Sequence, residues 1–183
     1  MDRTAICTFL LRVGLALALL IVAAPGAQAV SVAVVPADTT VSVGDTFTLR
    51  VQTDAFPDLK AYQLIFGFNP GVLQFLDAGA GDVLTGTGRP FTVQVLPDVT
   101  LPADTAWVDC AMLLGSTAGP GVLIYFQFKA LAVGDSPIPC DGVDFRDSFN
   151  NSTLPACSPG MVHVLAATAT EPMTWGRLKT VYR

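Results

Sequence analysis

Residues 61–75 read Ala61-Tyr62-Gln63-Leu64-Ile65-Phe66-Gly67-Phe68-Asn69-Pro70-Gly71-Val72-Leu73-Gln74-Phe75. Tyr62, Leu64, Phe66 and Phe68 fall on every second residue, the period of a strand with one face in a core. Asn69-Pro70-Gly71 ends that strand and turns it, because proline has no N–H to donate and glycine tolerates a positive φ. A second strand, 72–76, follows directly.

Working outward, the same period recurs on both sides. Phe47, Leu49 and Val51 alternate with Thr48, Arg50 and Gln52 in a strand over 46–53, preceded by short strands at 31–35 and 40–43. Phe91, Val93 and Val95 define a strand over 91–96. Val108, Cys110, Met112 and Leu114 share a face of a strand over 105–114. Val122, Ile124, Phe126 and Phe128 point inward from a strand over 122–130, which turns Leu123, Tyr125, Gln127 and Lys129 outward. Residues 131–160 read as a long polar loop before a last strand, 161–165. Eight or nine strands with turn signals between them and no helical period predict an all-β, two-sheet sandwich.

Both ends read differently. Arg3 and Arg12 precede or open an apolar run, 13–24, and Ala27-Gln28-Ala29 has the small-x-small form of a cleavage site. This is the layout of a secretory signal peptide over 1–29, with the mature chain starting near Val30 and placed outside the cytoplasm. The run is short for a membrane anchor, which needs ~20 apolar residues. At the other end, 166–170 is a small-residue linker. Residues 171–183 carry Trp175, Leu178 and Tyr182 with Arg177, Lys179 and Arg183, and Thr174 is placed to cap a short helix. That tail reads as a frayed end or as a docking tether. The sandwich domain spans 30–165.

Without residues 1–29 the chain keeps eight cationic and fourteen acidic residues, a net charge of −6. Nucleic acid is excluded as a partner, since phosphate neutralisation needs clustered Lys and Arg. Glu171 is the sole glutamate, and every other acid is aspartate, a residue of turns more than of helices. Three of the four cysteines follow the leader. Cys140 and Cys157 bracket a turn-rich loop and are expected to form a disulfide, while Cys110, in phase with Val108 and Met112, reads as a buried thiol.

Three stretches resemble the cohesin domain family. Val41-Ser42-Val43-Gly44-Asp45-Thr46-Phe47-Thr48-Leu49-Arg50-Val51 is similar to its opening pair of strands. Residues 64–75 are similar to its aromatic-(Asp/Asn)-Pro-x-Val-Leu segment, and Gly121-Val122-Leu123-Ile124-Tyr125-Phe126-Gln127-Phe128-Lys129-Ala130 to a late strand. The resemblance covers about residues 31–165. It implies a nine-stranded jelly roll without catalytic activity or cofactor, in which one sheet face grips a dockerin module. In type I cohesins an Asn and an Asp on the strand before the turn make part of that contact. The matching positions here are Ala61 and Gln63, neither of which can repeat the charge-assisted bonds of an aspartate.

Chemistry points the same way. His163 is the single histidine, no Gly-x-Ser-x-Gly elbow occurs, and nothing selects a carboxylate pair, so the chain is expected not to be an enzyme. Asp141, Asp144, Asp147, Asn150 and Asn151 crowd one segment, but their spacing matches no calcium loop, and no metal is expected. The expected binding surface is an outer sheet face carrying Gln63, Ile65, Trp107, Asp109, Leu123, Tyr125 and Gln127. Its expected partner is a dockerin-like module or another surface protein. The alternative is a polysaccharide held on Trp107 and Tyr125, and a third possibility is a structural part of an envelope assembly.

Overall fold

The computed structural model describes residues 29–96 and 104–167; residues 1–28 of the expected leader and the tail 171–183 lie outside the described residues. Among the described residues thirteen strands and one short helix follow in order: β1 (Ser31–Val35), β2 (Asp38–Ser42), β3 (Thr46–Thr53), β4 (Ala61–Gly67), β5 (Leu73–Ala80), α1 (Asp82–Thr85), β6 (Phe91–Leu96), β7 (Thr105–Met112), β8 (Gly121–Ala130), β9 (Gly134–Ile138), β10 (Cys140–Arg146), β11 (Ser152–Thr153), β12 (Ala156–Ser158) and β13 (Gly160–Leu165). They form two five-stranded sheets, β12-β1-β3-β8-β5 and β11-β10-β4-β7-β6, and a three-stranded sheet, β2-β13-β9. The expected two sheets and nine strands thus become three sheets and thirteen strands.

The core lies between the two larger sheets. From β4, Tyr62, Leu64 and Phe66 are buried, and from β8, Ile124, Phe126 and Phe128 meet them. Phe66 and Phe126 pack edge to face with centroids 5.6 Å apart, as do Phe68 and Phe128 at 5.4 Å. Such pairs add about 0.5–1.5 kcal/mol beyond the area they bury. Phe75, on β5, packs against both Phe126 and Phe128 and extends the aromatic row.

Strict alternation fails at one place in β8. Gln52 pairs with Val122 and Val51 with Ile124, leaving Leu123 as the extra residue of a β-bulge. Val122, Leu123 and Ile124 are all buried, so Leu123 does not face outward as its position in the alternation implied. The bulge frees the Leu123 carbonyl from the ladder, and two donors take it. Tyr62 donates its hydroxyl across the core at 2.6 Å, and the Gly81 N–H donates at 2.9 Å from the start of α1. Only glycine fits position 81, since a Cβ there would sit 2.0 Å from the Val122 carbonyl oxygen.

The 131–160 segment, read from the sequence as a loop, contains four strands. β10 pairs antiparallel with β4 along nearly its whole length, with a register shift between Cys140 and Gly142. Phe145 alone on this strand is fully buried, against Phe56 and Tyr62, which leaves little hydrophobic period to detect. β12 pairs parallel with β1, placing Cys157 beside Val32. Cys140 and Cys157 are disulfide-bonded as expected, so the bond joins β10 in one large sheet to β12 in the other. β7 ends at Met112, and Leu114, expected inside, is exposed.

Cys110 is a buried free thiol opposite Tyr62 in the ladder. Burial pushes it up to about 11, against a smaller downward pull from the Tyr62 hydrogen bond. Burial also raises the Tyr62 phenol well above its usual range. In the small sheet His163, on the central strand, donates from Nδ1 to Asp135 of β9 at 2.6 Å and lies 3.5 Å from Asp38 of β2.

Tyr62→Phe should cost about 1 kcal/mol in denaturant unfolding, because Gly81 still satisfies the Leu123 carbonyl, whereas Phe126→Ala should cost about 3–5 kcal/mol. A thiol reagent applied to the chain from Val30 onward should find no reactive thiol until denaturation and then one. Cys140→Ser with Cys157→Ser should lower stability by about 3 kcal/mol. The Asp135 hydrogen bond raises the His163 pKa above its ordinary value of 6.5. Its contribution is therefore complete below that value and is lost as pH rises through the higher folded-state value. The melting temperature should fall over that window in the native chain and stay flatter in His163→Gln, by a small margin because the pair is exposed.

Candidate functional site

β4 runs through the middle of its sheet, with β10 on one side and β7 then β6 on the other. The inward side chains of β4 are consumed by the core, so the intervening residues, Ala61, Gln63 and Ile65, must face away from it. Register then fixes their neighbours. Asp144, Gln63, Asp109 and Gln94 form one row across the sheet, and Arg146, Ala61, Ala111 and Thr92 form the next. Ile65 lies between Gly142 and Trp107 in a third row.

The rows are cross-linked. Asp109 Oδ1 accepts from Gln63 Nε2 at 3.0 Å and from Trp107 Nε1 at 3.2 Å, so one carboxylate oxygen orients an amide and an indole. Arg146 grips Asp144 through Nε and Nη2, both at 2.8 Å, and Ser152 Oγ donates to the other Asp144 oxygen. Between these two clusters the small side chains of Ala61 and Ala111 leave a shallow hollow of about 460 Å³, walled by Gln63, Gln94, Asp144 and Arg146. The face thus offers fixed polar groups, a half-buried indole and an aliphatic Ile65, the mixture found where proteins meet proteins.

Of the seven residues expected to share one surface, the fold brings four together: Gln63, Ile65, Trp107 and Asp109. Tyr125 and Gln127 belong to β8, in the other large sheet, where they stand opposite Arg50 and Thr48. Leu123 is in the core. Trp107 and Tyr125 therefore lie on opposite outer faces, and the shared aromatic platform expected for a polysaccharide is not formed. Sequence reasoning passed over Asp144 and Arg146 as members of this face, although they alternate about Phe145. Gln94, between Val93 and Val95, was also legible from alternation.

The Asp/Asn-rich segment is occupied with its own turn. Asp147 Oδ1 accepts from the Phe149 and Asn151 N–H groups at 2.8 Å each, and its Oδ2 accepts from Asn151 Nδ2 at 2.7 Å. Those hydrogen bonds, led by the Asn151 side chain, hold the Asp147 carboxyl below the ordinary carboxylate range. Among the described residues no cluster of His, Cys, Asp or Glu has the geometry of a metal site, and no helix is long and apolar enough to cross a membrane.

Two packed sheets with an ordered, polar, outward face describe a β-sandwich binding module. A family model of the cohesin domain matches residues 32–174, and the chain belongs to that family, whose modules are non-catalytic binding domains. Solved structures share the fold. A non-cellulosomal cohesin from the hyperthermophilic archaeon Archaeoglobus fulgidus is 17% identical, with a TM-score of 0.60 over 76% of this chain and 93% of that one. The Coh-OlpA-Doc918 type I cohesin–dockerin complex from Clostridium thermocellum gives 14% identity and a TM-score of 0.62 over 75% and 100%. A type II cohesin domain from the cellulosome of Acetivibrio cellulolyticus gives 18% and 0.60 over 74% and 95%. No curated protein matches the chain.

Proposed function

We propose that the chain is an exported cohesin module whose β10-β4-β7-β6 face receives a dockerin-type protein. The observation that carries this reading is the Gln63–Asp109–Trp107 cluster at the centre of that face. Ala61 and Gln63 occupy the positions that resemble the partner-contacting Asn and Asp of type I cohesins. A carboxylate is nonetheless present one strand away, on Asp109, 3.0 Å from Gln63. A partner therefore meets an acid held in place by two donors, so less side-chain freedom is lost on binding. Several structures similar to this chain are cohesin–dockerin complexes, which supports the class of partner.

Export is supported by the signal-peptide pattern of residues 1–29 and by the Cys140–Cys157 bond, which belongs to oxidising compartments. On this reading the mature module spans 30–165, followed by a linker and a basic, aromatic tail.

The test is calorimetric titration of the purified chain with a panel of dockerin modules. Trp107→Ala and Asp109→Ala should each weaken a positive interaction about tenfold or more, as central anchors do. Tyr125→Ala, on the opposite sheet, should leave it unchanged. Loss of binding in Tyr125→Ala with none in the other two would move the site to the β3-β8-β5 face. Silence from every dockerin would remove the partner class.

A further inference from the structure

The hollow on the β10-β4-β7-β6 face is electrically unbalanced. Two carboxylates and one guanidinium line it, those of Asp109, Asp144 and Arg146. Arg146 is spent on Asp144, which it holds through Nε and Nη2, while Ser152 occupies the other Asp144 oxygen. Asp109 has no such cation. Its two donors among the described residues, Gln63 Nε2 and Trp107 Nε1, are both neutral and both reach Oδ1, so Oδ2 keeps its capacity to accept. The hollow therefore carries one uncompensated negative charge. Its floor is apolar, because Ala61 and Ala111 stand opposite one another in the β4–β7 ladder and present only methyl groups.

We infer that this hollow is the seat of a lysine side chain of the partner. The inference rests on the proposed docking of a protein on this face and names what that protein brings. The aliphatic stem of a lysine lies along the two alanine methyls while its ammonium stays at the polar wall. The ammonium carries three donors. The wall supplies acceptors for them in Asp109 Oδ2, in the Gln63 amide oxygen, left over because Nε2 is committed to Asp109, and in the Gln94 amide oxygen. Arginine is the poorer occupant. Its planar fork suits both oxygens of one carboxylate, and Asp109 has only Oδ2 to give, since Oδ1 already takes two donors. A compact point charge on a slender stem matches what the hollow leaves open.

The test is an NMR titration of the purified, isotope-labelled chain with Nα-acetyl-lysine methylamide, read at the Trp107 indole N–H, which donates to Asp109. The chain has two tryptophans, and Trp107→Phe identifies the signal by removing it. The signal should shift saturably, with a midpoint on the order of 1 mM for so small a ligand. The norleucine analogue, which keeps the stem and lacks the ammonium, should bind about tenfold or more weakly. The arginine analogue should also bind less well than lysine. Asp109→Asn should abolish the response, and so should Ala111→Leu, which fills the floor and leaves the carboxylate in place. No shift in the native chain overturns the inference, as does a shift that the norleucine or arginine analogue matches or that persists in Asp109→Asn. A dockerin that binds while the lysine probe leaves Trp107 unmoved overturns it and keeps the proposed partner class. A lysine response with silence from every dockerin keeps the lysine seat and removes that partner class.

Discussion

The structure rests on the meshing of β4 with β8 across the space between the large sheets. Phe66 against Phe126 and Phe68 against Phe128 fix how the two layers sit, and the Tyr62 hydroxyl locks them by reaching the carbonyl that the β8 bulge releases. Because every second residue of β4 is committed to this contact, the residues between are committed to the opposite side. Gln63 and Ile65 stand outside for the same reason that Leu64 and Phe66 stand inside. The make-up of this outer face is a consequence of the core.

Much of this was legible in the sequence. β1, β3 and β6 have the boundaries that alternation predicts, and β4 and β8 differ by a residue or two at their ends. What alternation does not carry is which strands become neighbours. β4 and β8 have similar periods and opposite locations, so a surface assembled from period alone joined Trp107 to Tyr125 across the thickness of the protein. Leu123 was misplaced because a bulge adds one residue without changing composition. β10 was invisible for another reason. Its stability comes from backbone pairing with β4 and from Phe145, while Asp141, Gly142 and Asp144 read as turn chemistry.

Membership of the cohesin family narrows function to recognition, and the outer faces divide that task unequally. The β10-β4-β7-β6 face holds its polar groups in a preset network, with Asp109 and Asp144 each taken by more than one donor. On the proposed reading, Asp109, one strand away from Gln63, stands in for the acid of the type I pattern. A dockerin suited to this module would have to present its complementary donors correspondingly displaced, which is a route to specificity without any change of fold.

Two of the strand pairings are parallel, and both tie the beginning of the domain to its end: β1 with β12, and β2 with β13. Among the described residues β2 and β12 pair with no other strand, so each waits on a partner some 120 residues away, a high contact order that slows folding. A chain cut short before β12 would leave one edge of β1 and the whole of β2 unpaired, two open strand edges that invite pairing with another chain.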